Sequence, residues 1–484
     1  MHQSKLLELL RKLTPKQLGR FGDFTRSPYF NTHQDNVLFF NYLQKYAPAF
    51  EHGNLRKEIV VRQFKASKPL DAKSLAYLMS SLTKLLETFL AVERFVADET
   101  SQALALLDQS HSLGLPHRQK ALEDSLEKTM LTAQHRNAAF YQKMLLFRRM
   151  QYEHSDPNQR GFNEKLQGAA DALDLYFITE KLRFGCEMQN LSDMFNLHYR
   201  QSFTAEVAAW AEASEWAGEP TMQIYRRLFH LLRDEDGAQH FEALKTLLAA
   251  HGDLFEPHER KQLYTLLLNH CTRRINRFNE EKYWHEYLEI NKLLLSNGLL
   301  LEDGNLPPWR YTNLVAVGLR TGQVDWAHRF MHDYKDKLPA EYADNLFRYN
   351  LAQYHYHQKD YDRAMQELAL VAFNDVLLNV AARSLLIKLF YETGQTEPLI
   401  SYLEATRIFL LRNKILDPLL KQQLKKFVEC CTKLAKAGHD ASRLQELLDT
   451  LPPPKEVMHR DWLAGRAQEQ LSGLKKQTDN TEQR

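Results

Sequence analysis

The stretch from Tyr349 to Val371, YNLAQYHYHQKDYDRAMQELALV, constrains the fold of this chain more than any other. Apolar residues recur three and four apart on both sides of Gln358-Lys359-Asp360, so it reads as a helix, a tight polar turn and a second helix packed back on the first. The rest of the chain agrees. Its 484 residues include 18 glycines and 16 prolines, about 7% against about 12% in average usage, so the turns that β-structure needs are scarce. From about 101 to 300 no alternating strand pattern interrupts the helical spacing, and the expected class is all-α.

The amino-terminal region sets Leu6, Leu9, Leu10 and Leu13 at helical spacing, then restarts at Thr14-Pro15-Lys16-Gln17 with a capping-box pattern. Ser27-Pro28-Tyr29-Phe30-Asn31 ends that second helix, because the residue before proline avoids helical dihedrals. A third amphipathic segment covers Val37 to Tyr46. After the Lys68-Pro69-Leu70 turn, Asp71 is placed to cap a long helix with a stripe from Leu75 to Leu90. The expected organisation is a helical domain over 1–100, a helical array over 101–305, repeats over 306–450, and a proline-bounded polar tail over 451–484. A short helix around Trp462 is expected within that tail, while LKKQTDNTEQR is too polar to order on its own.

Turns recur at Gly322, Lys359 and Gly394, spaced 37 and 35 residues apart. Small Ala352 faces Ala364 across the middle turn, which lets two helices cross closely while Tyr361, Leu368 and Val371 fill the groove to the next unit. This pattern resembles the tetratricopeptide repeat, whose period is ~34 residues. Val315, Ile387 and Leu399 stand where that family places small residues. The resemblance covers about a quarter of the chain and implies a helical-hairpin, tetratricopeptide-like solenoid carrying an amino-terminal helical domain. An irregular helical bundle is the alternative. The SPYFN segment also resembles the amino-terminal region of uncharacterised bacterial helical-repeat proteins, a likeness that implies no activity.

In the repeat family the first helix of each unit lines the concave surface. Carried over by position, this gives Thr312, Ala316 and Arg320, then Tyr349, Gln353, Tyr356 and His357, then Ser384, Lys388, Tyr391 and Glu392. Mixed aromatic, amide and basic groups suit a peptide or helix, although helix surfaces are polar in any case. The candidate partner-binding residues are Arg320, Tyr349, Gln353, Tyr356, His357, Lys388 and Tyr391. The expected function is a noncatalytic scaffold or adaptor with a protein or peptide partner.

Chemistry at the sequence level is sparse. No GxxxxGK[ST] or strand-linked GxGxxG cradles a phosphate, and His285-Glu286 lacks the second histidine of HExxH. Asp234 and Asp236 before Gly237 look like part of a calcium loop, but Ala243 occupies the place of its bidentate glutamate. No enzyme activity, metal or cofactor is expected. Lys plus Arg number 63 against 61 for Asp plus Glu, so net charge attracts neither nucleic acid nor an acidic membrane. The alternative function, nucleic-acid binding, draws on Arg273, Arg274 and Arg277 beside Phe278 and Tyr283, with Glu280 and Glu281 opposing it. Cys186, Cys271, Cys430 and Cys431 show no CxxC spacing, which fits reduced thiols. With no signal-peptide core, the expected location is the cytoplasm.

Overall fold

The computed structural model describes residues 2–64, 70–156, 158, 160–195, 197–234, 237–278, 280–372, 375–413, 415–438, 440–453 and 455–482, with side chains as far as Leu474. Lys68 and Pro69 of the expected turn, Glu235 and Asp236 of the calcium-like segment, and Pro454 lie outside the described residues. Among the described residues the backbone is helical, and extended pairing is confined to an isolated bridge between Glu302 and Asn305. Two compact units, Met1–Ile178 and Thr179–Arg484, divide the chain.

The first unit contains α1 (Lys5–Arg11), α2 (Pro15–Arg26), α3 (Gln34–Gln44), α4 (Lys57–Gln63), α5 (Ala72–Val96), α6 (Glu99–Ser112), α7 (Pro116–Leu131) and α8 (Ala138–Glu153). Local signals set the boundaries. Thr14 and Gln17 form the capping box of α2, and the Asp71 carboxylate accepts from the Ser74 N–H at the start of α5. The core forms around Phe21, whose ring lies 4.8 Å from Phe40 and 5.4 Å from Phe89. α5 is long and apolar enough to cross a membrane by composition. Its Leu75, Leu82, Leu85, Leu86 and Phe89 are buried in this helical core.

The division falls within α9 (Glu164–Phe195). Then follow α10 (Thr204–Ala213), α11 (Pro220–Arg233), α12 (Ala238–His251), α13 (Pro257–Phe278), α14 (Glu281–Ser296), α15 (Pro308–Arg320), α16 (Val324–Tyr334), α17 (Ala340–His357), α18 (Tyr361–Ala369), α19 (Val376–Glu392), α20 (Thr396–Arg412), α21 (Pro418–Ala437), α22 (Ala441–Asp449) and α23 (Arg460–Glu482). From α15 onward each odd-numbered helix packs on the next in sequence and on the next odd-numbered one. This is a row of antiparallel hairpins.

Three of those hairpins turn in the same way. Gly322, Lys359 and Gly394 take φ of 73°, 61° and 69°. In each turn the following N–H reaches back five residues, from Gln323 to the Gly318 carbonyl, Asp360 to His355 and Gln395 to Phe390, each at 2.9 Å. The close crossing differs between hairpins. Ala352 and Ala364 are fully buried as expected of small residues, whereas in the first hairpin Gly318, rather than the position of Val315, provides it. A Cβ on Gly318 would lie 3.1 Å from that of Ala327. Lys359 alone of the three turns places a side chain in the left-handed region, so Lys359→Gly is expected to stabilise the protein by about 1 kcal/mol. Urea unfolding reads this directly; a loss of stability would mean the lysine side chain makes contacts worth more than the strain.

The carboxyl-terminal segment departs from the sequence expectation. Instead of a short helix and a polar tail, α23 runs from Arg460 to Glu482. Leu463, Ala467 and Leu471 of α23 join Phe427, Cys431 and Leu434 of α21 in one apolar cluster. Packing of that stripe, with Leu474 against it, orders the helix from Arg460 to Leu474.

Candidate functional site

The helices α15, α17 and α19 do place part of the expected partner face together, and α23 lies on it. Tyr356 on α17 is one turn from the hairpin turn, and Lys388, Tyr391 and Glu392 end α19. The Glu392 side chain is only 8% exposed. Its Oε1 accepts from Trp462 Nε1–H at 2.7 Å and from the Tyr356 hydroxyl at 3.1 Å, and Arg466 Nε lies 3.1 Å away. Trp462 and Arg466 share a face of α23 because they are four residues apart.

Around this carboxylate the other groups are arranged by charge and aromatic faces. The Tyr391 ring meets Trp462 edge-on at 5.3 Å. Lys388 Nζ stands 5.7 Å from the centre of the Tyr356 ring and 6.0 Å from that of Trp462, within range of cation–π attraction. Arg320 stacks over Trp284 at 4.6 Å and lies 3.6 Å from Asp461 and 3.5 Å from Glu281. Burial pulls the Lys388 ammonium down to about 8, with Cys431 and Glu392 opposing the shift. Burial pushes Tyr391 up to about 12, and Tyr356 is raised by burial and then by Glu392. His459, held well below the usual imidazole range by burial and then by Lys388, is a neutral neighbour.

Not every expected residue belongs to this seat. Tyr349 is 7% exposed and its hydroxyl is pushed up by burial, so it packs in the interior instead of presenting a ring to a partner. The Ser384 side of α19 is likewise buried. Their positions on the helix face inward because neighbouring hairpins close over them, which the spacing within one hairpin does not reveal. Gln353 is half-buried and donates to Asn350 at 3.5 Å, and Asn350 donates to Thr312 at 3.2 Å, a polar link from α17 to α15. His357 is exposed at the end of α17.

The alternative basic patch is also built differently from its sequence reading. Arg273, Arg274 and Arg277 converge with Arg233 on a polar hollow of about 340 Å³. Within it Arg273 pairs with Asp193, and Arg274 with Glu280. The Arg274 guanidinium covers Phe278 at 4.6 Å. Tyr283 is buried, so it offers no face to a base. Asp193 lies 80 residues from Arg273, beyond the reach of a local charge pattern.

Reading the sequence placed a helix around Trp462 but gave Asp461, Trp462, Arg466 and His459 no part in the site. A signal was present in Leu463, Ala467 and Leu471, spaced four apart. The polar composition around them masked it. Among the described residues, no group of three or more His, Cys, Asp or Glu is placed to hold a metal ion. All four cysteines are buried, and burial raises each thiol. No protein-family model, curated protein or solved structure matches this chain.

Proposed function

We propose that this protein is a noncatalytic interaction scaffold, a tetratricopeptide-like array that recognises a helix on the face formed by α15, α17 and α19. One observation supports the reading above the rest: this face already seats a helix, the chain's own α23, through Glu392, Tyr356, Tyr391 and Arg320. A buried acceptor facing an indole N–H, with aromatic and guanidinium neighbours, is the kind of anchor that carries binding energy in helix-in-groove recognition. A partner helix with an acid, a tryptophan and a basic residue spaced like Asp461, Trp462 and Arg466 would take the place of α23. The cytoplasm is the compartment in which such a partner is sought.

The test uses a fluorescein-labelled peptide of residues 458–474 added in trans. Wild-type protein is expected to bind it weakly because the seat is occupied. The full-length double variant Trp462→Ala/Arg466→Ala is expected to bind it at least tenfold more tightly, and adding Glu392→Ala should abolish the gain. No gain in the folded double variant would refute the helix-seat reading.

Nucleic-acid binding is the rival. With Arg273 and Arg274 already paired to carboxylates, the hollow has little net attraction for a polyanion. The protein is expected to pass unretained through single-stranded RNA and DNA columns at low salt. Salt-sensitive retention that disappears in Arg273→Glu/Arg277→Glu would replace the scaffold reading.

A further inference from the structure

A second surface lies on the opposite side of α21 from the helix seat. Phe427, Cys431 and Leu434 face the apolar cluster beneath α23, and Val428 joins the same cluster from the groove side, whereas Lys421, Lys425, Thr432 and Lys436 fall on the other face at helical spacing. Together with one face of α20 they bound an open groove of about 730 Å³. Leu403, Leu410 and Val428 form its buried floor, and Ile400 and Leu411 stand exposed at its lips. Ile415, 84% exposed, and Leu419 extend the apolar surface at the α20–α21 turn.

The rim is basic although the chain as a whole is nearly balanced. Arg407, Lys421, Lys425, Lys433 and Lys436 line it against Glu404 and Glu429. Arg407 pairs with Glu404 at 2.7 Å and Lys425 with Glu429 at 3.8 Å. Both carboxylates are thereby matched, and the charges of Lys421, Lys433 and Lys436 are in excess.

We propose that this groove docks an acidic amphipathic helix from a partner protein, with its apolar seam against the exposed Ile400 and Leu411 and its carboxylates on Lys421, Lys433 and Lys436. The shape selects a helix. Lining residues on α21 run from 421 to 436, about 22 Å at 1.5 Å per residue, which matches a ligand of four turns. An extended peptide would lay unpaired N–H and C=O groups on an apolar floor, whereas a helix satisfies its own. The excess lysines, all on α21, select acid on the flank of the ligand that faces that helix and reject a basic helix.

The full-length protein is titrated by fluorescence anisotropy into a labelled 18-residue peptide with leucines on one seam and glutamates beside it. Controls are the same peptide with lysine for glutamate and a 15-nucleotide oligouridylate. Binding of the acidic peptide in the micromolar range is expected, with none for the basic one. Lys433→Glu/Lys436→Glu and, separately, the exposed-lip variant Ile400→Glu/Leu411→Glu should each weaken it about tenfold, with unchanged circular dichroism. Trp462→Ala, which alters the helix seat, should leave it unchanged, so failure here is distinct from failure there. The proposal is overturned if the acidic peptide does not bind, if the lip variant binds normally, if oligouridylate competes, or if sedimentation shows a dimer of this chain that the lip variant abolishes.

Discussion

Replacing Glu392 with alanine is expected to lower the unfolding free energy by about 3–5 kcal/mol. The carboxylate is nearly enclosed, and one of its oxygens serves the Trp462 indole, the Tyr356 hydroxyl and Arg466. Deletion leaves the Trp462 and Tyr356 donors unmet where water has little access, each adding about 1–3 kcal/mol, while Arg466 keeps its pair with Glu469 at 2.6 Å. Glu392→Gln keeps an acceptor and should lose less than half as much. Tyr356→Phe, which removes one donor together with its need, should lose about 1 kcal/mol. Guanidinium unfolding measures the three. Hydrogen exchange shows whether protection at Trp462 to Leu471 falls first, as expected if Glu392 anchors α23. A loss below 1 kcal/mol for the alanine variant would show that the carboxylate is not the anchor.

Lys388→Met is expected to act in the opposite direction and stabilise the protein at pH 7 by up to about 3 kcal/mol. The folded-state lysine titrates at about 8 and its ordinary value is 10.5. Below pH 8 both states carry the proton, and the full cost of enclosing the charge is present. Between pH 8 and 10.5 the unfolded chain holds more protons than the folded one, so stability rises with pH across that window. The buried thiols work against that rise in both proteins alike, because unfolded cysteine ionises from about pH 8.5 while Cys186, Cys271, Cys430 and Cys431 are raised in the fold. Tyr356 and Tyr391 have raised values in the fold, so their contribution is complete below pH 10 and is lost above it as unfolded tyrosine ionises. The Lys388 effect is therefore read by difference: wild-type stability minus that of the methionine variant should climb from pH 8 to 10. His459, lowered in the fold, adds a separate loss of stability as pH falls below about 6.5, present in both proteins. A difference between the two proteins that stays constant from pH 8 to 10 would show that the Lys388 ammonium is well solvated.

The three predicted turns at Gly322, Lys359 and Gly394 were legible because they depend on a few adjacent residues and on backbone sterics. The same holds for the Thr14 capping box and the Asp71 cap. The candidate face was legible only in part. The resemblance to the tetratricopeptide repeat, carried over by position, named Arg320, Tyr356, Lys388 and Tyr391 on successive helices, and the structure brings them beside α23. It placed Tyr349 among them, although burial removes Tyr349 from any surface. Nothing local distinguishes those two outcomes, since both residues sit on the same helix and differ in what the next hairpin covers.

Sequence alone determined the all-helical class, the helix boundaries at Thr14, Ser27 and Asp71, and the hairpin turns at Gly322, Lys359 and Gly394, because caps, prolines and left-handed residues act within one turn of backbone. The tertiary structure decided what those hairpins hold. Glu392 meets Trp462 across 70 residues and Arg273 meets Asp193 across 80. Such pairings depend on where whole helices pack. The burial of apolar stripes, including the one that orders α23, sets that packing, and only then do polar groups find the partners that make a seat or neutralise a patch.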